Sequence, residues 1–253
     1  MKILFAGNSQ TTCLKIAFDS NPETLDKHEV YFHVTPGATG PYFKIKDDQL
    51  SVIQGAINPN FPARLHPEGI STPPLSSFDV IIISALGYVD GGFLYQNTVM
   101  KQGVLHQFSP KKNDHTQRLL SKPCLKEIVF TLLSQQHGFQ FLDELKNHFN
   151  KKIIVQPFPI ISEIVKDHPD WLLNRLYNDP IGAHKFFQKT RDDYLDFACN
   201  KSNIKLLPYP VPEWKSSMFS PKDKMSLADG QHPTNEYGPM ILEQIKNELD
   251  KHN

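Results

Sequence analysis

Phe78-Asp79-Val80-Ile81-Ile82-Ile83-Ser84-Ala85-Leu86 narrows the possible folds more than any other stretch of this chain. It is short, rich in β-branched residues, and apolar at consecutive rather than alternate positions. A strand that is apolar on both faces has to be covered on both faces, which is the situation of a central strand in a parallel sheet. The rest of the chain agrees. Ile3-Leu4-Phe5-Ala6 within residues 2–6 reads as a first strand, Glu29 to Val34 as a second, Lys152 to Val155 and Ile204 to Leu207 as later ones. Helical patterns separate them at about 10–20, 122–135, 139–149, 161–167, 170–177 and 182–199, and a last helix carries Ile241, Ile245 and Leu249 on one face. Strands alternating with helices predict an α/β domain with a mainly parallel sheet.

Two stretches depart from that alternation. Phe43 to Ile53 alternates apolar and polar around Asp47-Asp48, which predicts a hairpin. Residues 54–77 are rich in proline and glycine and read as a long surface loop, and 93–118 read as irregular. With 253 residues and no repeat or low-complexity tract, one domain spanning 1–253 is expected, with 93–150 as a candidate cap or insertion.

Lysine plus arginine and aspartate plus glutamate balance at 27 each, so no net charge draws the chain to nucleic acid or an anionic membrane. Lys2 is followed by only a short apolar stretch, so neither a signal peptide nor a membrane span is expected, and a cytoplasmic location is the default. Cys13, Cys124 and Cys199 are too few and too scattered for a disulfide framework or a zinc site, and are expected as reduced, mostly buried thiols. The histidines form no metal-binding set, no phosphate-binding glycine loop is present, and no cofactor is implied.

Parallel sheets build their sites at the carboxyl edge of the strands. The loops at 7–9, 35–40 and 87–92 follow strands, and 229–232 is the fourth loop expected at that edge. Gly7-Asn8-Ser9 places a serine between the first strand and the first helix. Ser9 there has two readings: a helix N-cap, which serine favours, or a nucleophile at a helix N-terminus, where amide N–H groups favour negative charge. Asp229-Gly230-Gln231-His232 also has two readings. It is a surface turn with a solvated histidine, or a carboxylate orienting an imidazole that activates a hydroxyl.

Taken together, these end motifs make the chain resemble the SGNH hydrolases, the GDSL-like esterases and acyltransferases. Gly7-Asn8-Ser9 is similar to the family's Gly-Asp-Ser after strand one, with asparagine for aspartate. Asp229-Gly230-Gln231-His232-Pro233 matches its Asp-x-x-His-Pro before the last helix, and Asn235 and Tyr237 fit there too. The resemblance implies a three-layer α/β/α fold with a flavodoxin-like sheet. It implies Ser9 as nucleophile, His232 as general base and acid, and Asp229 as the orienting carboxylate. Pro36-Gly37-Ala38-Thr39 looks like the oxyanion-hole segment, which makes Gly37 the implied donor and Gly40 the fallback. Where the family has Gly-x-Asn-Asp, this chain reads Gly87-Tyr88-Val89-Asp90, so Val89 replaces a side-chain donor to the oxyanion. Losing such a donor costs on the order of 100- to 1,000-fold in rate. Asn97, Gln10 and Gln156 are the candidate replacements. A Gly-x-Ser-x-Gly elbow is absent.

The expected activity is therefore ester hydrolysis through an acyl-enzyme, on a small-molecule or glycan acyl ester, since no apolar stretch points to lipid. The alternatives are acyl transfer to a sugar hydroxyl by the same triad, or a catalytically silent domain that binds a glycan or protein partner.

Overall fold

The structure is a computed structural model that describes residues 1–35, 43–52, 73–87, 104–106, 108, 118–167, 172–225 and 233–251. Among the described residues five strands form one sheet: β1 (Lys2–Gly7), β2 (Glu29–Val34), β5 (Val80–Leu86), β8 (Lys152–Pro157) and β9 (Lys205–Leu206). Their order is β2-β1-β5-β8-β9, and every neighbouring pair runs parallel. Counting only these strands, the order is 2-1-3-4-5, the flavodoxin-like arrangement.

Among the described residues the helices are α1 (Thr12–Ser20), α2 (Lys122–Ser134), α3 (His137–His148), α4 (Leu172–Leu176), α5 (Pro180–Lys201), α6 (Pro212–Ser217) and α7 (Tyr237–Asp250). Side chains alternate across each strand, and the two faces collect different helices. Ile3, Phe5, Val80, Ile82 and Ile154 pack with Leu14 and Ala17 of α1 and Ile241 and Ile245 of α7. Leu4, Ala6, Ile81, Ile83 and Val155 pack with Val129 of α2, Leu142 of α3 and Leu195 of α5. A sheet with helices on both faces is the result. Ile81, Ile82 and Ile83 are each fully buried, which explains why β5 is apolar throughout. Each such side chain contributes about 1.5–3 kcal/mol.

The predicted hairpin is present. β3 (Phe43–Lys46) and β4 (Gln49–Val52) pair antiparallel, with Lys46 opposite Gln49. Asp47 and Asp48 both take positive φ, 51° and 61°, as a two-residue turn between twisted strands requires. The hairpin is docked by Ile45 N, which donates to Glu144 Oε1 of α3 at 3.0 Å.

Four expectations are corrected. Residues 93–118 are not irregular throughout, because β6 (Val104–His106) and β7 (Arg118–Leu120) form a short parallel pair. The first helix does not begin at residue 10. A 3-10 turn, Ser9–Thr11, precedes α1. β8 does not stop at Val155. Gln156 and Pro157 stay paired to β5. Cys13 and Cys199 are buried free thiols, but Cys124 lies exposed in the first turn of α2. No helix among the described residues is long and apolar enough to cross a membrane.

Candidate active site

The turn after β1 is set by two residues before Ser9. Gly7 is required by close approach: a Cβ there would lie 1.9 Å from Thr11 Oγ1 and 2.9 Å from Ser84 O. Asn8 is fully buried, and its side chain performs the capping. Asn8 Oδ1 accepts from Gln10 N at 3.0 Å, and Asn8 O accepts from Thr11 N at 2.9 Å. Its Nδ2 donates across the sheet edge to Ala85 O at 3.3 Å. Ser9 is then the first residue of the 3-10 turn and half-buried. The capping role that a serine here could have filled belongs to Asn8.

Topology places this turn where an open α/β sheet has its crevice. α1 follows β1 on one face, while α2 and α3 lie beyond β5 on the other, so adjacent strands β1 and β5 send the chain to opposite sides. That is the switch point at which ligands bind in such sheets. The exit of β2 adjoins it, with Thr35 N donating to Gly7 O at 2.9 Å.

The end of β5 is bent. Ala85 has φ of 58°, in the left-handed region, and the pairing with β8 shifts register between Ser84 and Leu86. Gly87 follows with φ of 84°. An alanine in that region costs about 1–2 kcal/mol, and side chains hold it there. Asn8 takes its carbonyl, and Gln156 Oε1 accepts from Ala85 N at 2.9 Å. Gln156 Nε2 donates to Pro157 O at 2.6 Å and to Tyr237 Oη at 3.5 Å. Tyr237 is buried, which pushes its phenol above the ordinary value. Gln156, a candidate replacement donor, is thereby corrected: its amide is spent within the sheet edge. Gln10 is buried beside Ser9, and its Oε1 has no hydrogen-bond partner among the described residues.

A second polar cluster lies behind β8. Arg191 is fully buried in α5. Its Nε and a terminal nitrogen donate to Asp192 Oδ1 at 3.2 and 3.0 Å, and another terminal nitrogen to Phe158 O at 3.3 Å. Tyr209 Oη donates to the same Asp192 oxygen at 2.7 Å and touches Arg191. Sequence reasoning missed this cluster, although a signal exists. Arg191 stands four residues after Phe187 and four before Leu195, so helical spacing puts it on the buried stripe. A groove of about 180 Å³ opens beside it, lined by Pro157, Asp192, Leu195, Tyr209 and Lys215.

Among the predicted site residues, Ser9 is described, while Gly37, Val89, Asp229 and His232 lie outside the described residues, as do Gly40 and Asn97. The residues flanking 226–232 are well anchored. Met225 and Pro233 form an antiparallel bridge, and Thr234 N donates to Lys224 O at 3.0 Å. The start of α7 is pressed onto α1: a Cβ at Gly238 would lie 2.3 Å from Cys13 O. Thus Gly238, six residues beyond His232, touches Cys13, four residues beyond Ser9. Among the described residues no group of three or more His, Cys, Asp or Glu side chains could hold a metal ion.

Comparison with protein-family models, with curated proteins and with solved structures finds no match.

Proposed function

We propose that the protein is a serine esterase of SGNH type, with Ser9 as nucleophile and His232 and Asp229 as its base and orienting carboxylate. The observation that carries this reading is the capping by Asn8. It takes the N-cap role away from Ser9 and leaves that residue half-buried at the switch point of the sheet. The contact of Gly238 with Cys13 supports it, because both ends of the chain are brought to one region.

In this reading Ser9 Oγ attacks the ester carbonyl while His232 takes its proton. The Ser9 and Gly37 amides hold the oxyanion. Collapse breaks the bond to the alcohol, which receives the proton from His232. Water repeats the sequence in reverse roles to release the acid. An acyl ester of a carbohydrate is the proposed substrate, and a sugar hydroxyl in place of water turns the same steps into acyl transfer. Val89 favours a second reading, a silent domain that binds a glycan or protein partner, since valine has no donor to offer.

Intact-mass detection of fluorophosphonate labelling separates the two. Labelling that disappears in both Ser9→Ala and His232→Ala is expected. A folded wild-type protein that takes no label sinks the esterase reading and leaves the binding one.

A further inference from the structure

Four buried side-chain or backbone groups form a continuous path across the carboxyl edge of the sheet. It begins at the Ser9 turn, where Asn8 Oδ1 holds Gln10 N. Asn8 Nδ2 then holds Ala85 O, and Ala85 N is held by Gln156 Oε1. Gln156 Nε2 continues to Tyr237 Oη, the first residue of α7. Asn8, Ala85, Gln156 and Tyr237 are each at most 3% exposed, so water does not compete along the path. Ala85 is its centre and sits in a conformation that alanine does not choose by itself. Both of its peptide groups are gripped, one from each side, by amides that belong to other strands' ends.

We propose that Gln156 is a positioning residue: it fixes the bent end of β5 and, through Ala85 and Asn8, the Ser9 turn relative to the start of the last helix. The path itself stands on hydrogen bonds, and its consequence for rate rests on the esterase reading above. A glutamine is suited to the task. One amide accepts from Ala85 N and donates to Pro157 O and Tyr237 Oη at once, which leucine cannot do; a protonated glutamate keeps the acceptor and one of the two donors, and an ionised one keeps no donor.

The test has two arms on the full chain. Hydrogen exchange read by mass spectrometry compares wild type with Gln156→Leu. Protection is expected to fall at least tenfold in peptides covering 84–87 and also in those covering 8–11, while 3–6 and 153–155 keep theirs. Loss confined to 84–87, or no loss at all, overturns the coupling. The second arm is the rate of Ser9 labelling by a fluorophosphonate, measured well below the unfolding temperature. Gln156→Leu is expected to label at least tenfold more slowly, and Ala85→Gly added to it to recover part of the rate, because glycine holds a positive φ unaided. Labelling as fast as wild type overturns the positioning role. Should Gln156→Leu fail to fold, Gln156→Glu replaces it: its rate relative to wild type is expected to fall as pH rises and the carboxyl group loses its proton, and a pH-independent ratio overturns the proposal. A wild type that takes no label sinks the nucleophile assignment alone, since the exchange arm still decides the coupling.

Discussion

Acid stability is set in part by one histidine in the sheet, His33. It is 2% exposed on β2, opposite Ala6, with its ring 4.5 Å from that of Phe43 in the hairpin. Neither ring nitrogen has a hydrogen-bond partner among the described residues. Burial therefore lowers its pKa from 6.5 to about 4. The folded protein keeps the ring neutral where the unfolded chain protonates it, so stability is present above the unfolded value and is lost as pH falls toward the folded one. Linkage gives about 2.6 kcal/mol in favour of the unfolded state at about pH 4.5, against about 0.2 kcal/mol at about pH 7. Roughly 2.4 kcal/mol is thus lost over that interval from this ring alone. His33→Phe removes the titration and keeps an aromatic ring against Phe43. Urea unfolding of both proteins between about pH 7 and about pH 4.5 measures the difference, since every other titrating group is common to the two. The variant's advantage should grow by about 2 kcal/mol as pH falls. An advantage that does not change with pH refutes the reasoning and means that the ring is solvated.

Three further outcomes follow from the same contacts. Asn8→Asp replaces the N–H₂ that meets Ala85 O with a buried acceptor, so it should lower stability by about 1–3 kcal/mol in thermal unfolding, although the capping of Gln10 N survives. Gly7→Ala should cost about 1–3 kcal/mol because its Cβ meets Thr11 Oγ1 and Ser84 O, and Thr11→Ala in the same chain should recover part of that. Burial pushes the Cys13 and Cys199 thiols up to about 12, so a mildly alkaline alkylating reagent should modify Cys124 alone in the folded protein and all three thiols in denaturant, as intact mass will report.

Elements with a local signal can be read from the residues alone. β5 was legible because consecutive apolar residues mark a strand covered on both faces. The hairpin was legible because two adjacent aspartates interrupt an alternating pattern, and α7 because Ile241, Ile245 and Leu249 repeat every four residues. Ser9 was legible as a candidate because a glycine turn joins an apolar strand to a helical pattern. Tertiary structure alone decided the order of the strands, the transfer of the capping role from Ser9 to Asn8, and the left-handed Ala85 at the end of an otherwise regular strand. It also decided that Gln156 is spent on the sheet edge, that Arg191 of α5 is buried against Asp192 and Tyr209, and that Cys124 stays exposed. The reason is which group each polar atom finds. Asn8 meets Ala85 from 77 residues away, Gln156 meets Ala85 from 71 and Tyr237 from 81. Local propensity carries no record of such partners, and only the packed sheet brings them within hydrogen-bond distance.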